Sequence, residues 1–150
     1  MNKIALAALI VILFIIMFIA FPFVFHKQED FKILKEENIT INETFGVRNV
    51  NIKNYYISHK NQTVFLQLIT LNSKEEAETF LKNFLDSFKS FILNSTDVKI
   101  DSLSGKELLI NFEGRKSYAF IVQKNKNLIY ASYFDEKILY EVVKWFLEKI

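Results

Sequence analysis

A chain of 150 residues with 19 Lys and Arg, 17 Asp and Glu and no cysteine excludes disulfide frameworks, thiol chemistry and zinc–cysteine sites. Its net charge of +2, with both signs interspersed, lacks the concentrated basic face that nucleic-acid binding needs, so no nucleic-acid partner is expected. The two histidines, His26 and His59, leave a His-based triad or metal site almost nothing to use, and no Gly-rich phosphate loop or nucleophile elbow occurs. The expectation is therefore a non-enzyme with no cofactor, no metal and no catalytic residue.

Residues 4–25 form an uncharged apolar run. About 22 residues at roughly 1.5 Å of helical rise reach about 33 Å, enough to cross a hydrocarbon core of about 30 Å. The run closes on Ala20-Phe21-Pro22-Phe23-Val24-Phe25, with bulky rings where a signal peptidase needs small residues. Residues 1–25 thus read as an uncleaved transmembrane signal-anchor. The polar residues 26–38 read as a stalk, and residues 39–150 as a single α+β domain.

Two signals bear on orientation. Lys27, Lys32 and Lys35 follow the run and only Lys3 precedes it, which favours a cytoplasmic domain. Against this stand four Asn-x-Ser/Thr patterns, beginning at Asn38, Asn42, Asn61 and Asn94, which are candidate glycan acceptors. The lysines alternate with Glu29, Asp30, Glu36 and Glu37, so the charge contrast is small and the domain is placed outside the cytoplasm.

Residues 39–47, 50–58 and 63–71 are rich in β-branched and aromatic side chains and read as strands, with a turn at His59-Lys60-Asn61-Gln62. At Ser73 the period changes. Ser73-Lys74-Glu75-Glu76 has the pattern of a capping box, and Ala77, Phe80, Leu81, Phe84, Leu85, Phe88 and Phe91 recur at helical spacing. Four strands follow, at 97–103, 106–112, 116–123 and 128–134, with turns at Ser104-Gly105, Glu113-Gly114-Arg115 and Lys124-Asn125-Lys126-Asn127. Asp135 then caps a last helix carrying Ile138, Leu139, Val142, Val143, Phe146 and Ile150 on one stripe. This order predicts an α+β fold: an antiparallel β-sheet with two helices packed on one face.

The late hairpin is apolar on both sides. Tyr118, Phe120 and Val122 share a face with Ile129, Ala131 and Tyr133, while Ala119, Ile121, Leu128 and Tyr130 occupy the other. The second face is expected either to be roofed by residues 39–58 or to stay open. In the open case Tyr118, Phe120 and Tyr133 form a face for a partner protein or an apolar ligand. Asp97 and Asp101 share a strand face as a nominal carboxylate pair, explained more simply by a half-exposed strand. The chain thus reads as a membrane-anchored extracytoplasmic interaction or structural module of a microbial cell envelope. Its partners are the lipid bilayer and an envelope protein. The alternatives are a binding module for an apolar or lipid-like ligand and a carboxylate-based enzyme.

Overall fold

The computed structural model describes residues 31–150, so the expected anchor lies outside the described residues. The elements run β1 (Lys32–Thr44), β2 (Val47–His59), β3 (Gln62–Thr70), α1 (Lys74–Ser87), β4 (Ile92–Ile100), β5 (Leu103–Phe112), β6 (Arg115–Lys124), β7 (Asn127–Tyr133) and α2 (Glu136–Leu147). All seven strands join one antiparallel sheet in the order β1-β2-β3-β7-β6-β5-β4. The fold is α+β. Among the described residues no helix is long and apolar enough to cross a membrane.

The helices do not share a face. Ala77, Phe80, Phe84 and Phe88 of the α1 region pack with Ala119, Ile121, Leu128 and Tyr130, whereas Ile138, Leu139, Val142, Val143 and Phe146 of α2 pack with Phe120, Val122, Ile129 and Ala131. Consecutive residues of β6 and β7 alternate between these two cores, so one helix lies on each side of the sheet. This corrects the one-face expectation. The segments expected to roof the hairpin are instead β1 and β2, which extend the sheet sideways. Residues 32–38 belong to β1, so the stretch read as a stalk is largely strand.

Local chemistry explains the helix starts. Ser73 Oγ accepts from Glu76 N at 3.2 Å, satisfying an amide donor that helix geometry leaves unpaired, and Glu76 Oε2 reaches back to accept from Asn72 N, just ahead of the cap, at 3.1 Å. Asp135 Oδ1 accepts from Ile138 N at 3.1 Å and opens α2 in the same way. α1 ends at Ser87, although the apolar stripe continues through Phe88 and Phe91 in the turn that follows.

Two-residue turns close all five hairpins. The first is unusual because its leading residue is Phe45, at φ 48°, followed by Gly46 at φ 76°. A left-handed backbone costs a non-glycine residue about 1–2 kcal/mol. Here Phe45 is only 1% exposed, packs edge-on against Phe80 and Phe84, and receives a 2.8 Å hydrogen bond on its carbonyl from Asn83 Nδ2. Burial of such a ring contributes about 1.5–3 kcal/mol, which offsets the strain.

Each edge strand carries a bulge. Phe31 and Ile33 pack in the α2 core, but Ile39 and Ile41 pack in the α1 core, although all are odd-numbered. One extra residue must intervene, and pairing slips between Ile33 and Lys35. β4 repeats the device: Ile92 packs with the α1 core and Val98 with the α2 core, and pairing slips between Ile92 and Asn94. The supernumerary residues, Leu34 and Leu93, are 53% and 52% exposed.

The turn expected at Ser104-Gly105 lies at Asp101-Ser102, and Asp101 takes φ 55°. Gly105 sits inside β5, where an added Cβ would come within 2.6 Å of the Ile121 carbonyl oxygen. Its glycine answers a close strand approach, which a turn-based reading mistakes for a reversal. Gly105→Ala should therefore destabilise the domain by about 1–3 kcal/mol. A denaturant midpoint equal to that of the unaltered protein would contradict this packing.

Candidate functional site

The aromatic face singled out in the sequence lies under α2. Phe120 is 2% exposed within the α2 core, and Tyr118 and Tyr133 are half-buried at its margin, directly paired across β6 and β7. Tyr133 Oη donates to Gln62 Oε1 at 2.5 Å. Among the described residues, α2 covers this face, in place of an open tyrosine surface or a roof of β1 and β2.

Beside α2 the sheet remains uncovered, and a surface cleft of about 540 Å³ opens there. Val98 and Lys99 of β4, Glu107 of β5 and Phe120 of β6 line one side, and Glu136, Lys137 and Tyr140 of the first turns of α2 line the other. The Tyr140 ring meets Phe120 edge-on at 6.1 Å and is 39% exposed. The floor is apolar. The rim carries two carboxylates and two lysines, a mixed lining that suits the polar backbone and side chains of a peptide better than a hydrocarbon.

Glu107 lies in the cleft beside Glu136. Burial, and then the hydrogen-bonded Glu136 carboxylate beside it, hold its carboxyl above its ordinary value. Its charged form is therefore disfavoured, and a proton or a cationic group of a partner relieves the repulsion. Sequence reasoning missed this pair, because Glu107 and Glu136 lie far apart in the chain and meet only where the start of α2 comes beside β5. Sequence reasoning missed Tyr140 as well; the signal that could have found it is an aromatic lying off the buried stripe of α2.

The other nominal carboxylate pair does not form. Asp97 accepts from Lys106 Nζ at 2.6 Å, and Asp101 lies 3.8 Å from Lys144 Nζ, so each is engaged by its own lysine. Among the described residues no group of three or more metal-ligating side chains comes together. All four acceptor asparagines are exposed: Asn38 and Asn42 on edge strand β1, Asn61 in the β2–β3 turn and Asn94 at the bulge of β4.

A second constellation lies where the chain enters the domain. Phe31 stacks on His59 at 3.9 Å and on Trp145 at 5.1 Å, with planes within 9°. His59 is 3% exposed. The Glu141 carboxylate accepts from His59 Nε2 at 2.6 Å and from Lys60 Nζ at 2.7 Å. Those hydrogen bonds, from Lys60 first and His59 second, hold Glu141 below its ordinary value. Phe31 is thus fastened to β2 and α2 at once.

No family model matches this chain, and comparison with curated proteins and with solved structures likewise found no match.

Two outcomes follow from this geometry. Phe120→Ala should cost about 3–5 kcal/mol of stability, as aromatic truncations in a core do, whereas Tyr140→Ala at the cleft rim should stay within about 1 kcal/mol. Equal losses in thermal melts would show that the cleft is not a surface feature.

Acidification should loosen the entry constellation. A carboxyl with a lowered folded pKa contributes stability that is present above its unfolded value and lost as pH falls through the folded one. The melting temperature should thus drop below the ordinary carboxylate range of about 4. Glu141→Gln should melt lower at neutral pH and lose less between neutral pH and acid; an unchanged acid slope would remove Glu141 from this role.

Proposed function

We propose that this chain is a membrane-anchored interaction module of a microbial cell envelope, non-catalytic, with residues 4–25 in the bilayer and the sheet domain on the extracytoplasmic side. The observation that supports it most directly is the junction. The apolar run ends at Phe25, and only residues 26–30 separate it from Phe31, which is stacked into the domain core. A long uncharged run attached this closely to a folded domain is what single-pass anchoring requires. The exposure of the acceptor asparagines Asn38 and Asn42 along β1 supports the outward orientation.

In this reading the cleft beside α2 receives a segment of an envelope protein. Phe120 and Val98 supply an apolar floor, Tyr140 an aromatic wall, and Glu107, Glu136, Lys99 and Lys137 orient polar groups. Its volume also admits a compact apolar ligand. The charged rim ranks that reading second.

The full chain should fractionate with membranes and resist carbonate extraction. Leu13→Lys with Ile16→Lys should release it or abolish insertion, at about 2.5–3.5 kcal/mol per charge near the span centre. Protease added to intact cells should reach the domain. A mature amino terminus beyond Ala20, or digestion only after permeabilisation, would overturn the anchor or the orientation respectively.

A further inference from the structure

One pole of the sheet gathers three of the five large exposed hydrophobic side chains among the described residues. Cross-strand partners trace it: Lys32 opposite Ser58, Ser58 opposite Thr63, Tyr133 opposite Tyr118, Tyr118 opposite Leu109 and Leu109 opposite Asn94. The β2–β3 turn, the β5–β6 turn, the α1–β4 turn and the β7–α2 connection all lie at this end. Here Leu34, Leu93 and Phe134 are 53%, 52% and 66% exposed. They occupy both edges and the middle of the sheet. Lys32, Lys60, Lys89, Arg115 and Lys116 are exposed at the same end, Lys60 being paired with Glu141, against the exposed Asp86, Glu113 and Glu136 and the half-buried helix cap Asp135.

The chain enters the domain at this pole, and it enters on a short tether. Phe31 is fixed by its stacks on His59 and Trp145. From Phe25 to Phe31 there are only six Cα steps, which span about 20 Å at most when fully extended. The headgroup layer takes up about 5–7 Å of that. Nothing longer separates the pole from the bilayer.

We propose that this pole is a second membrane contact, resting on the anionic lipid surface of the bilayer that holds the anchor. Leu34, Leu93 and Phe134 enter the interfacial region at three separated points, and Lys32, Lys89 and Lys116 lie against the headgroups. Each bulge has an extra residue to project, and it is a leucine at both edges. Apolar side chains framed by lysines are the combination that binds an interface without spanning it. The inference rests on the anchoring reading, since the tether brings the pole to the lipid.

The chain has no cysteine, so single labels can be placed without background. Full-length variants Leu34→Cys, Leu93→Cys and Phe134→Cys, with Ser102→Cys and Asn125→Cys at the opposite pole, are labelled with an environment-sensitive fluorophore. They are then reconstituted in vesicles of phosphatidylcholine and phosphatidylglycerol carrying a doxyl-lipid quencher. Quenching at 34, 93 and 134 should exceed that at 102 and 125 severalfold. It should fall towards the opposite-pole level when Lys32, Lys89 and Lys116 are all replaced by Glu. Vesicle-bound protein with equal, low quenching at all five positions overturns the contact and leaves the anchor standing. Protein that fails to associate with vesicles at all overturns both.

Discussion

The β6–β7 hairpin is apolar on both faces, and that single constraint organises the domain. A strand pair of this kind cannot sit at an edge or lie on one layer, because either place leaves Ala119, Ile121, Leu128 and Tyr130, or Phe120, Val122, Ile129 and Ala131, in water. It must be central, with a layer on each side. The topology satisfies both conditions: β7 returns to pair with β3 in the middle of the sheet, α1 spans from β3 to β4 over one face, and α2 folds back over the other. Each helix needs only one apolar stripe, since each sees one face.

The edges obey the opposite rule. β1 and β4 carry charged and polar residues along most of their length, such as Glu36, Asn38, Asn42 and Glu43 on β1 and Ser95, Thr96, Asp97 and Lys99 on β4. Such residues discourage pairing with another chain. The bulges at Leu34 and Leu93 interrupt the ladder near the same pole and let each edge strand contribute to both cores. The opposite pole is closed differently. Phe45 turns the β1–β2 hairpin inward, and Asn83 of α1 holds its carbonyl, so the turn belongs to the α1 core as much as to the strands.

The elements with a clear period were legible in the sequence: both helices, their caps at Ser73 and Asp135, and the alternation of the β6–β7 hairpin. What failed were inferences about where a correctly read element goes. The hairpin's two apolar faces are visible, but whether residues 39–58 roof one of them or leave it open is not, because period-two alternation does not distinguish a packed layer from another strand of the same sheet. Residues 32–38 were read as stalk because charge conceals an edge strand, where exposed polar side chains are normal. Gly105 was read as a turn because a glycine required by close strand approach looks like one required by positive φ. The Glu107–Glu136 pair and the Phe31–His59–Trp145 stack are products of topology. Their members are separated by two whole strands or by most of the chain, so no local pattern announces them.

The clamp at Phe31 gives the anchoring reading a physical consequence. A domain on a loose stalk of residues 26–38 has about 13 residues of slack, which is up to about 45 Å of reach when extended. With Phe31 stacked in place the reach falls by more than half, and the strand register fixes which pole faces the bilayer. Beyond the Leu34 bulge, the ladder adds only the pairs of Ile33 with Ile57 and Lys32 with Ser58. The end of an edge strand is among the first segments to fray. The stacks on His59 and Trp145, and the Glu141 carboxylate that holds His59 and Lys60, are therefore what keep the tether short. In the proposed anchoring, distance and orientation relative to the membrane are properties of a ring stack and one ion pair within the fold.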